Sequence, residues 1–579
     1  MPDCRFCPFV LAAIAALVLL PSTGAPQVPP DQVVIQGGTH VVLMDVVARD
    51  KHGKPIGDLT RDDFTLRDNG EEQKISLFSV DEAGAPSAAR PAHAPLTFTN
   101  RPAAVSAVTA FLFDQLNTKL TDQELAKKDF LRYLRGLPAD SRVAVFALGD
   151  SLSLLHDFSE DMASLLDALG KHPARVPPEV DAATAPPASA NSLTGDQSTS
   201  AMWDSFLQSS NKAYIDLTGQ VRATRTAAAL ETIAGHLAGI PGRKTLIWIS
   251  GGFPIQLGLH NQVDSMAQSN SNMRQSRGLG GRGGGGRGGG RGGGRAGGSA
   301  QSMPSPPPAA SSSAQELPGM DLSFAGDAER AIRALNEANV AVYPVDARGV
   351  PVLTPFQADR SSIGKRSSPP RGFVKPDFNY ETLETLAGET GGQAFHHIND
   401  LNDAFREAAA DARVSYALAF SPAAASLDGT YHRLEVTVKR PGAKLRYRLG
   451  YVASPDKAES PSLADAIANP VALSGLGFSV HLDPVEGGYR ASVTIDPRNI
   501  TLQPKDGKWI GSLQFLVVVG KVEQLTTVPL HFNDAMFHQI QERGLVLGAR
   551  VKTPPGTTGF SMGFQDVPSG VVGTLHVPL

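Results

Sequence analysis

Two short polar turns follow buried strands and carry the side chains best suited to bind a ligand. The first, residues 114–118 (DQLNT), comes directly after the apolar run 108–113 (VTAFLF). The second begins at Ser250 and follows the apolar run 245–249 (TLIWI). Unbroken apolar runs are typical of strands covered on both faces of a parallel sheet, and ligands bind beyond the carboxyl ends of such strands. We therefore predict a binding edge formed by Asp114, Gln115, Leu116, Asn117, Ser250, Gly251 and Gly252.

Other reactive residue types do not form a recognisable catalytic group. His396 ends a strand predicted over 393–396 and His397 follows it directly; because neighbouring side chains of a strand point to opposite faces, the two are not expected to share a metal. Ser250 lacks the Gly-x-Ser-x-Gly frame of a nucleophile elbow. Asp62 and Asp63 are expected to cap a turn or to face water. No catalytic dyad or triad is predicted, and we expect the chain not to be an enzyme.

The chain is long enough for several domains and has the start of an exported protein. Its 579 residues allow about three or four domains. Arg5 and the apolar run 9–20 match the first two parts of a signal peptide, so residues 1–25 are predicted to be one. Cys4 and Cys7 lie inside it, and the mature chain would be free of cysteine. Since no later apolar run reaches transmembrane length, the protein is expected in the periplasm, at the cell surface or outside the cell.

A change in periodicity divides the mature chain into β-rich and mixed parts. Residues 105–412 alternate strands and helices, as in an open parallel sheet, and include a helix predicted over 224–237. Residues 32–82 and 413–452 predict strands alone. Neither β segment has enough strands for a sandwich, so we predict that the two form one sandwich into which the mixed region is inserted.

The remaining segments are predicted to be linkers, one further sandwich and two insertions. Residues 83–104 and 453–469 read as linkers, and 470–579 as a separate C-terminal β-sandwich. Residues 171–212 and 260–318 are rich in Pro, Ala, Ser or Gly, and they cannot bury enough apolar surface to offset their ordering entropy. Both are predicted to be disordered insertions.

Basic residues give no reason to expect a nucleic-acid partner. The Gly/Arg tract at 277–291 is similar to segments that bind single strands. The net charge of −4 and the predicted export favour a flexible spacer instead. Arg243 and Lys244 precede a buried strand and are expected to lie in a solvated turn. We therefore predict a protein or peptide partner and no nucleic acid.

The two polar turns resemble the metal-ion-dependent site of von Willebrand factor A domains. In that family an Asp-x-Ser-x-Ser loop ends the first strand, a Thr stands at the start of a later helix, and an Asp follows the fourth strand. Asp114 matches the first Asp, and Thr226 matches the helix-start Thr. Leu116 and Thr118 stand at the two Ser positions, and Gly251 replaces the later Asp.

More closely, the chain is similar to the exported VWFA-related proteins of acidobacteria. The matching segments are 46–64, 114–118, 240–254 and 428–433, and the resemblance covers about residues 32–452. It implies an A-type (Rossmann-like), doubly wound, mostly parallel α/β sheet. Together with the strand patterns above, the predicted fold is this sheet inserted in or flanked by a β-sandwich, with an all-β sandwich at the C-terminus. The resemblance implies no established activity.

The resemblance implies a cation, but the residues leave two alternatives open. One is an oxygen-only Mg²⁺ or Ca²⁺ site made by Asp114, Thr118 and Thr226, with Asn117, because hard cations prefer oxygen ligands. The other is a vestigial site, because a leucine and a glycine replace two ligands and a single carboxylate holds a divalent ion weakly in water. In that case Asp114 would cap backbone N–H groups of the next helix.

These observations predict an exported, non-enzymatic binding or adhesion protein that contacts its partner at the edge around Asp114. The alternative is a structural or assembly scaffold of the cell envelope with no metal-dependent binding. A hydrolase that uses Asp114 and a metal is not favoured, because ligands are missing and no base is present.

Overall fold

The protein is a mixed α/β molecule with three bodies of β-sheet. A computed structural model describes residues 41–82, 96–101, 108–137, 143–159, 161–175, 197–252, 320–349, 380–398, 400–422, 429–453 and 462–579. The signal peptide predicted at 1–25 and the insertion predicted at 260–318 lie outside these residues. No helix in the described ranges has the length and apolar character needed to cross a bilayer.

The strands and helices are numbered in chain order. The strands are β1 (Val42–Arg49), β2 (Phe64–Asp68), β3 (Glu71–Gln73), β4 (Leu77–Glu82), β5 (Thr97–Thr99), β6 (Val108–Asp114), β7 (Val143–Leu148), β8 (Leu152–Ser159), β9 (Lys244–Ser250), β10 (Val340–Asp346), β11 (Val414–Phe420), β12 (Tyr431–Val438), β13 (Lys444–Arg446), β14 (Gly450–Val452), β15 (Phe478–Val485), β16 (Gly488–Ile495), β17 (Gln503–Lys505), β18 (Lys508–Val519), β19 (Val522–Phe532), β20 (Leu545–Lys552), β21 (Gly559–Asp566) and β22 (Val572–Pro578). The helices are α1 (Leu120–Arg135), α2 (Met162–Lys171), α3 (Gln197–Leu237), α4 (Met320–Glu337), α5 (Tyr380–Thr390), α6 (Leu401–Ala410), α7 (Leu463–Ala468) and α8 (Asp534–Arg543).

The β segments on either side of the mixed region share one sandwich. Its sheets have the orders β13-β1-β11-β4 and β14-β12-β2-β3, so each sheet contains strands from both segments. Side chains from both segments meet in its core, including Met44, Leu66, Tyr416 and Leu434. The chain leaves this sandwich after β4 and returns to it at β11, after the α/β region.

Five strands form the central sheet of the α/β region, in the order β10-β9-β6-β7-β8. The pairs are parallel except for β8, which is antiparallel to β7. One face packs against α3, α4 and α5, and the other against α1, α2 and α6. Because both faces are covered, β9 and β10 are buried at every residue, as the unbroken apolar runs predict. The carboxyl ends of β6 and β9 lie side by side, with Asp114 and Ser250 at their ends.

Helix α3 is much longer than the sequence predicts. It starts at Gln197 and not near residue 224, so its first part occupies residues 197–212 of the insertion predicted to be disordered. Thr226 consequently lies deep inside the helix and not at its start. The C-terminal part of the helix is buried in the core and stabilises it. No proline between residues 188 and 237 interrupts the helix toward its N-terminus.

The strand predicted at 393–396 is reduced to a single contact. Only Phe395 forms a bridge, parallel to Val345 of β10. His397 has a φ of 58°, which takes the backbone out of the extended region directly after the bridge.

The C-terminal sandwich is larger and less separate than predicted. Its sheets are β20-β16-β15-β5 and β17-β18-β21-β22, with β19 also paired to β18. Strand β5 comes from the predicted linker 83–104, because a Thr-Phe-Thr stretch suited to strands adds to the edge of β15. Helix α7 lies in the predicted linker 453–469 and buries Leu463 and Ala466 against this sandwich.

Buried charges join the N-terminal sandwich to the α/β region. Asp411, which follows α6 and is fully buried, accepts hydrogen bonds from Arg49 Nε at 2.6 Å, Arg446 Nη1 at 2.6 Å and the Tyr343 hydroxyl at 2.7 Å. Arg49 and Arg446 belong to the sandwich, whereas Tyr343 belongs to β10. One carboxylate therefore ties the two bodies together.

Arg243 and Lys244 are buried at the same junction, so the prediction of a solvated turn is wrong. Arg243 Nη2 donates to the Gly391 carbonyl at 2.6 Å and to the Tyr343 hydroxyl at 3.2 Å. Lys244 Nζ donates to the Ile240 carbonyl at 2.6 Å, and burial lowers its pKa to about 8. The turn faces Asp45 of β1 and Asp81 of β4 rather than water, and the local sequence does not encode this long-range contact.

His236 of α3 joins the α/β region to the C-terminal sandwich. Its Nδ1 lies 2.7 Å from the Ala472 carbonyl, and its Nε2 lies 3.3 Å from Oδ1 of Asp157 on β8. Ser474 adds to this junction, since its hydroxyl donates to the His236 carbonyl and accepts from the Gly239 N–H at 2.9 Å. The C-terminal sandwich is thus anchored to α3 through residues 472–474.

Candidate functional site

Asp114 is the centre of the candidate site, and its carboxylate is fully engaged by hydrogen bonds. Oδ1 accepts from the backbone N–H of Asn117 at 3.0 Å, and Oδ2 accepts from Ser250 Oγ at 2.8 Å and from Trp248 Nε1 at 3.1 Å. The Asn117 amide Nδ2 donates to both oxygens, at 3.1 and 2.9 Å. Asp114 is only 2% exposed. Burial raises the pKa of its carboxyl group, and the hydrogen bonds from Asn117, Ser250 and Trp248 oppose that rise.

Asn117 connects this carboxylate to helix α3. Its Nδ2 also donates to Thr226 Oγ1 at 2.9 Å, and the Thr226 hydroxyl donates to the Arg222 carbonyl one turn earlier at 2.8 Å. Thr226 is completely buried. The structure therefore brings Asp114, Asn117 and Thr226 together, as the sequence predicts, although Thr226 reaches the site from inside a long helix.

Gly251 allows the turn after β9 to touch the turn after β6. Its N–H donates to Thr118 Oγ1 at 2.8 Å. A Cβ atom at position 251 would lie 2.8 Å from the Asn117 carbonyl oxygen and 3.0 Å from Thr118 Cα. Such distances require a shift of the backbone, so an aspartate cannot replace Gly251 in this arrangement. The glycine therefore closes the site at the position where the resembling family has a ligand.

These residues do not fit a divalent cation. The carboxylate of Asp114 faces four N–H or O–H donors, and their positive ends lie where a cation would approach. The Thr118 oxygen accepts a backbone N–H, and the Thr226 oxygen accepts from an amide. One oxygen remains, Asn117 Oδ1, which is buried without a hydrogen-bond partner but is neutral. Among the residues that the structure describes, no group of three or more His, Cys, Asp or Glu side chains could hold a metal ion.

The predicted binding edge is mostly covered by protein. Asp114, Gln115, Leu116, Asn117 and Ser250 are all buried. Only Gly251 and Gly252 are partly accessible.

Residues 172–175, which follow α2, lie over the first turn of this edge. Gln115 Nε2 donates to the Pro173 carbonyl at 3.1 Å, and its Oε1 lies 3.0 Å from His172 Nε2. Gln123 of α1 donates to the carbonyls of Thr118 at 2.7 Å and Arg175 at 2.8 Å. The start of the insertion predicted at 171–212 is therefore ordered and closes this side of the site.

A small cavity remains beside Asp114. Its volume is about 30 Å³, which is room for one or two water molecules and far too small for a peptide side chain. Its polar lining includes Gln115, Gln123, Lys127 and His172. Burial lowers the pKa of His172, and the nearby charges of Lys127 and Arg175 lower it further.

Sequence reasoning missed two contributors to this edge. Trp248 looks like a core residue of an apolar run, but its indole N–H is one of the donors to Asp114. Asp346 ends β10, directly after the apolar run 340–345, which is the pattern that marks Asp114. Its carboxylate accepts from Arg348 Nε at 2.8 Å and Nη2 at 3.1 Å. The same rule, an acid at the end of a buried strand, finds both aspartates.

Two other predictions about reactive residues have different outcomes. Asp63 caps a short turn, as predicted, since its Oδ2 accepts from the N–H and the hydroxyl of Thr60, both at 2.8 Å. The prediction that His396 and His397 point to opposite faces is wrong. Their Nδ1 atoms are 2.9 Å apart, because the positive φ of His397 turns its side chain beside that of its neighbour.

No protein-family model matches this chain, and no curated protein matches it. The similarity to von Willebrand factor A domains therefore depends on the residues described above.

Proposed function

We propose that this protein is an exported, non-enzymatic scaffold of the cell envelope. In this proposal an A-type domain fixes the relative positions of two β-sandwiches, and the sandwiches contact the protein or peptide partners. Partner binding does not require a divalent cation at Asp114.

The strand order supports an A-type domain. Counted within the α/β region, β6 to β10 are the first to fifth strands, and their spatial order is 3-2-1-4-5. Doubly wound folds of the Rossmann type have the order 3-2-1-4-5-6. The bridge at Phe395, beside β10, occupies the place of the sixth strand. Asp114 and Ser250 then lie at the switch point between the first and fourth strands, where such folds bind ligands.

The hydrogen bonding of Asp114 is the observation that carries the proposal. A metal-dependent adhesion site needs open oxygen ligands and access for a carboxylate from the partner. Here Asp114 receives donors from both turns, and residues 172–175 cover one of these turns. The carboxylate therefore serves as an internal tie between β6, β9 and, through Asn117, helix α3.

The contacts between domains support the scaffold role. Asp411 joins the α/β region to one sandwich, and His236 joins it to the other. Both junctions use buried polar groups whose hydrogen bonds have defined directions, which favours fixed orientations over independent movement of the domains.

Metal-dependent adhesion at the same edge is the second candidate, and one observation favours it. Asn117 Oδ1 is buried and has no hydrogen-bond partner, so it is available as a neutral oxygen ligand.

Isothermal titration with Mg²⁺, Ca²⁺ and Mn²⁺ separates the two candidates. The scaffold proposal expects no saturable binding by the wild-type chain, and it expects Asp114→Asn to lower the free energy of unfolding, because amide hydrogens would then face the donors of Asn117 and Trp248. Binding of one ion per chain that is lost in Asp114→Asn would overturn the proposal in favour of adhesion. Asp58→Asn, at an exposed carboxylate paired with Arg440, is the control for unfolding.

A further inference from the structure

His396 and His397 form a pair of imidazoles that nothing in the proposed function uses. Their Nδ1 atoms are 2.9 Å apart, and their ring centroids are 4.8 Å apart with perpendicular planes. In an extended chain, the side chains of consecutive residues point away from each other, so their Nδ1 atoms would not meet. Here the φ of 58° at His397 makes this possible, a backbone region that non-glycine residues seldom adopt.

Glu384 of α5 fixes the orientation of one of the two rings. Its Oε1 lies 2.9 Å from His396 Nε2. A carboxylate that receives the N–H of one ring nitrogen leaves a lone pair on the other, which is how carboxylates support metal-binding histidines. In His396 the nitrogen left with the lone pair is Nδ1, and it faces His397.

Tyr380 holds both rings in place from one side. Its ring centroid is 4.8 Å from that of His396 and 4.9 Å from that of His397. The preceding residue, Phe395, is fixed to β10 by its bridge to Val345. The pair is thus attached to the central sheet, while the His396 side chain keeps 32% of its surface accessible to solvent.

We infer that His396 and His397 bind a divalent transition-metal ion through their two Nδ1 atoms, with Cu²⁺ and Ni²⁺ preferred. Imidazole nitrogens bind these ions at about 2.0 Å, so two neighbouring ligands of a square-planar ion are about 2.8 Å apart. Two tetrahedral ligands would be about 3.3 Å apart at the same bond length. The 2.9 Å of the metal-free pair is a hydrogen-bond distance, and the two rings need less movement to reach the square-planar value than the tetrahedral one, which places Zn²⁺ behind Cu²⁺ and Ni²⁺.

The site supplies two protein ligands, and water completes the coordination. Glu384 bonds the far nitrogen of His396, so it supports the site without being a ligand. In the metal-free protein one histidine donates its Nδ1 proton to the other. The metal takes the place of that proton, which moves to Nε2 of the same ring, so both imidazoles stay neutral and no net proton is released.

Calorimetric titration of the untagged chain with CuCl₂, NiCl₂ and ZnCl₂ tests this inference. The chain carries Cys4→Ser and Cys7→Ser, so that its two thiols cannot bind the ions. We expect one Cu²⁺ per chain, with weaker binding of Ni²⁺ and then Zn²⁺. Electron paramagnetic resonance of the Cu²⁺ form should show coupling to two imidazole nitrogens.

Three variants assign the site. His397→Asn removes one ligand and retains a residue that tolerates positive φ, and we expect it to abolish stoichiometric binding. Glu384→Gln should weaken binding about tenfold and keep the stoichiometry, as loss of a supporting carboxylate does. His538→Asn, at an exposed histidine of α8, is the matched control and should bind as the parent does.

Three results would overturn the inference. One is the absence of binding at one ion per chain. The second is equal affinity of His397→Asn and His538→Asn, which would show that the ions bind elsewhere. The third is a resonance spectrum without two coupled nitrogens. Circular dichroism of each variant checks that the fold is retained.

Discussion

At the scale of single residues, Gly251 both lacks a ligand group and allows a contact between the two turns of the site. Where the resembling family has an aspartate, this chain has Gly251, whose N–H reaches Thr118. The two turns are close enough that no side chain fits between them. The residue that offers no ligand is therefore also the one that lets the two turns meet.

This closure predicts a large effect of the smallest possible substitution. Gly251→Ala should destabilise the protein by about 1–3 kcal/mol, because its methyl group would force the two turns apart. Gly170→Ala is the control, since a Cβ atom there meets nothing within 4 Å and the residue lies in α2. It should be neutral or stabilising by up to about 1 kcal/mol. Urea unfolding measures both, and equal behaviour of the two variants would disprove the steric argument.

Some residues of the site can be predicted from the sequence, and others cannot. Asp114 and Asn117 were found from an acidic turn after a buried strand, which is local information. Thr226 was found from the resemblance alone. Trp248 could not be found, because an indole in an apolar run is expected in the core, and only the paired register of β6 and β9 brings it to Asp114.

At the scale of elements, strands were easier to predict than helix limits and edges. The runs 108–113 and 245–249 became β6 and β9 almost unchanged, because full burial on both faces leaves a pattern in the sequence. In α1, by contrast, Leu120 and Leu125 are 44% and 48% exposed, although apolar residues at helical spacing usually face the core. The start of α3 and the addition of β5 to β15 depend on distant partners, and local patterns cannot reveal them.

Helix α3 carries an ionisable group whose geometry predicts a pH dependence. Both nitrogens of His236 face atoms that only accept hydrogen bonds, so both bonds require the protonated ring. Burial lowers the pKa of His236, but the hydrogen bond and charge of Asp157 and the hydrogen bond to Ala472 outweigh it, and the pKa is raised above 6.5. The resulting stabilisation is complete below the unfolded pKa and is lost as pH rises through the folded pKa.

His236→Gln should therefore destabilise the protein more at about pH 5.5 than at about pH 8.5. Urea unfolding at both pH values, with His538→Gln as an exposed control, measures the difference. A loss of stability that is the same at both pH values would show that only the neutral ring contributes.

At the scale of the whole molecule, Asp411 is the point where two domains depend on each other. Its substitution leaves Arg49 and Arg446 without their shared buried partner. Removing one member of such a group costs about 3–5 kcal/mol, because an unpaired charge remains buried.

Asp411→Asn is accordingly expected to lower the free energy of unfolding by about 3 kcal/mol. Asp403→Asn, on α6 with its side chain 82% exposed, should change it by less than about 0.5 kcal/mol. Differential scanning calorimetry adds a second readout, since the N-terminal sandwich and the α/β region should separate into two transitions. A single transition at the wild-type temperature would contradict the role given to Asp411.

The divided sandwich also determines when its strands can pair during synthesis. Strand β1 has two neighbours, β11 and β13, and both lie beyond residue 413. A ribosome therefore delivers an apolar strand early and its partners only after the whole α/β region has been made. Until then β1 has no partner strand, and unpaired apolar strands are prone to aggregate. We therefore expect the nascent chain to be most prone to aggregation before β11 and β13 have been made.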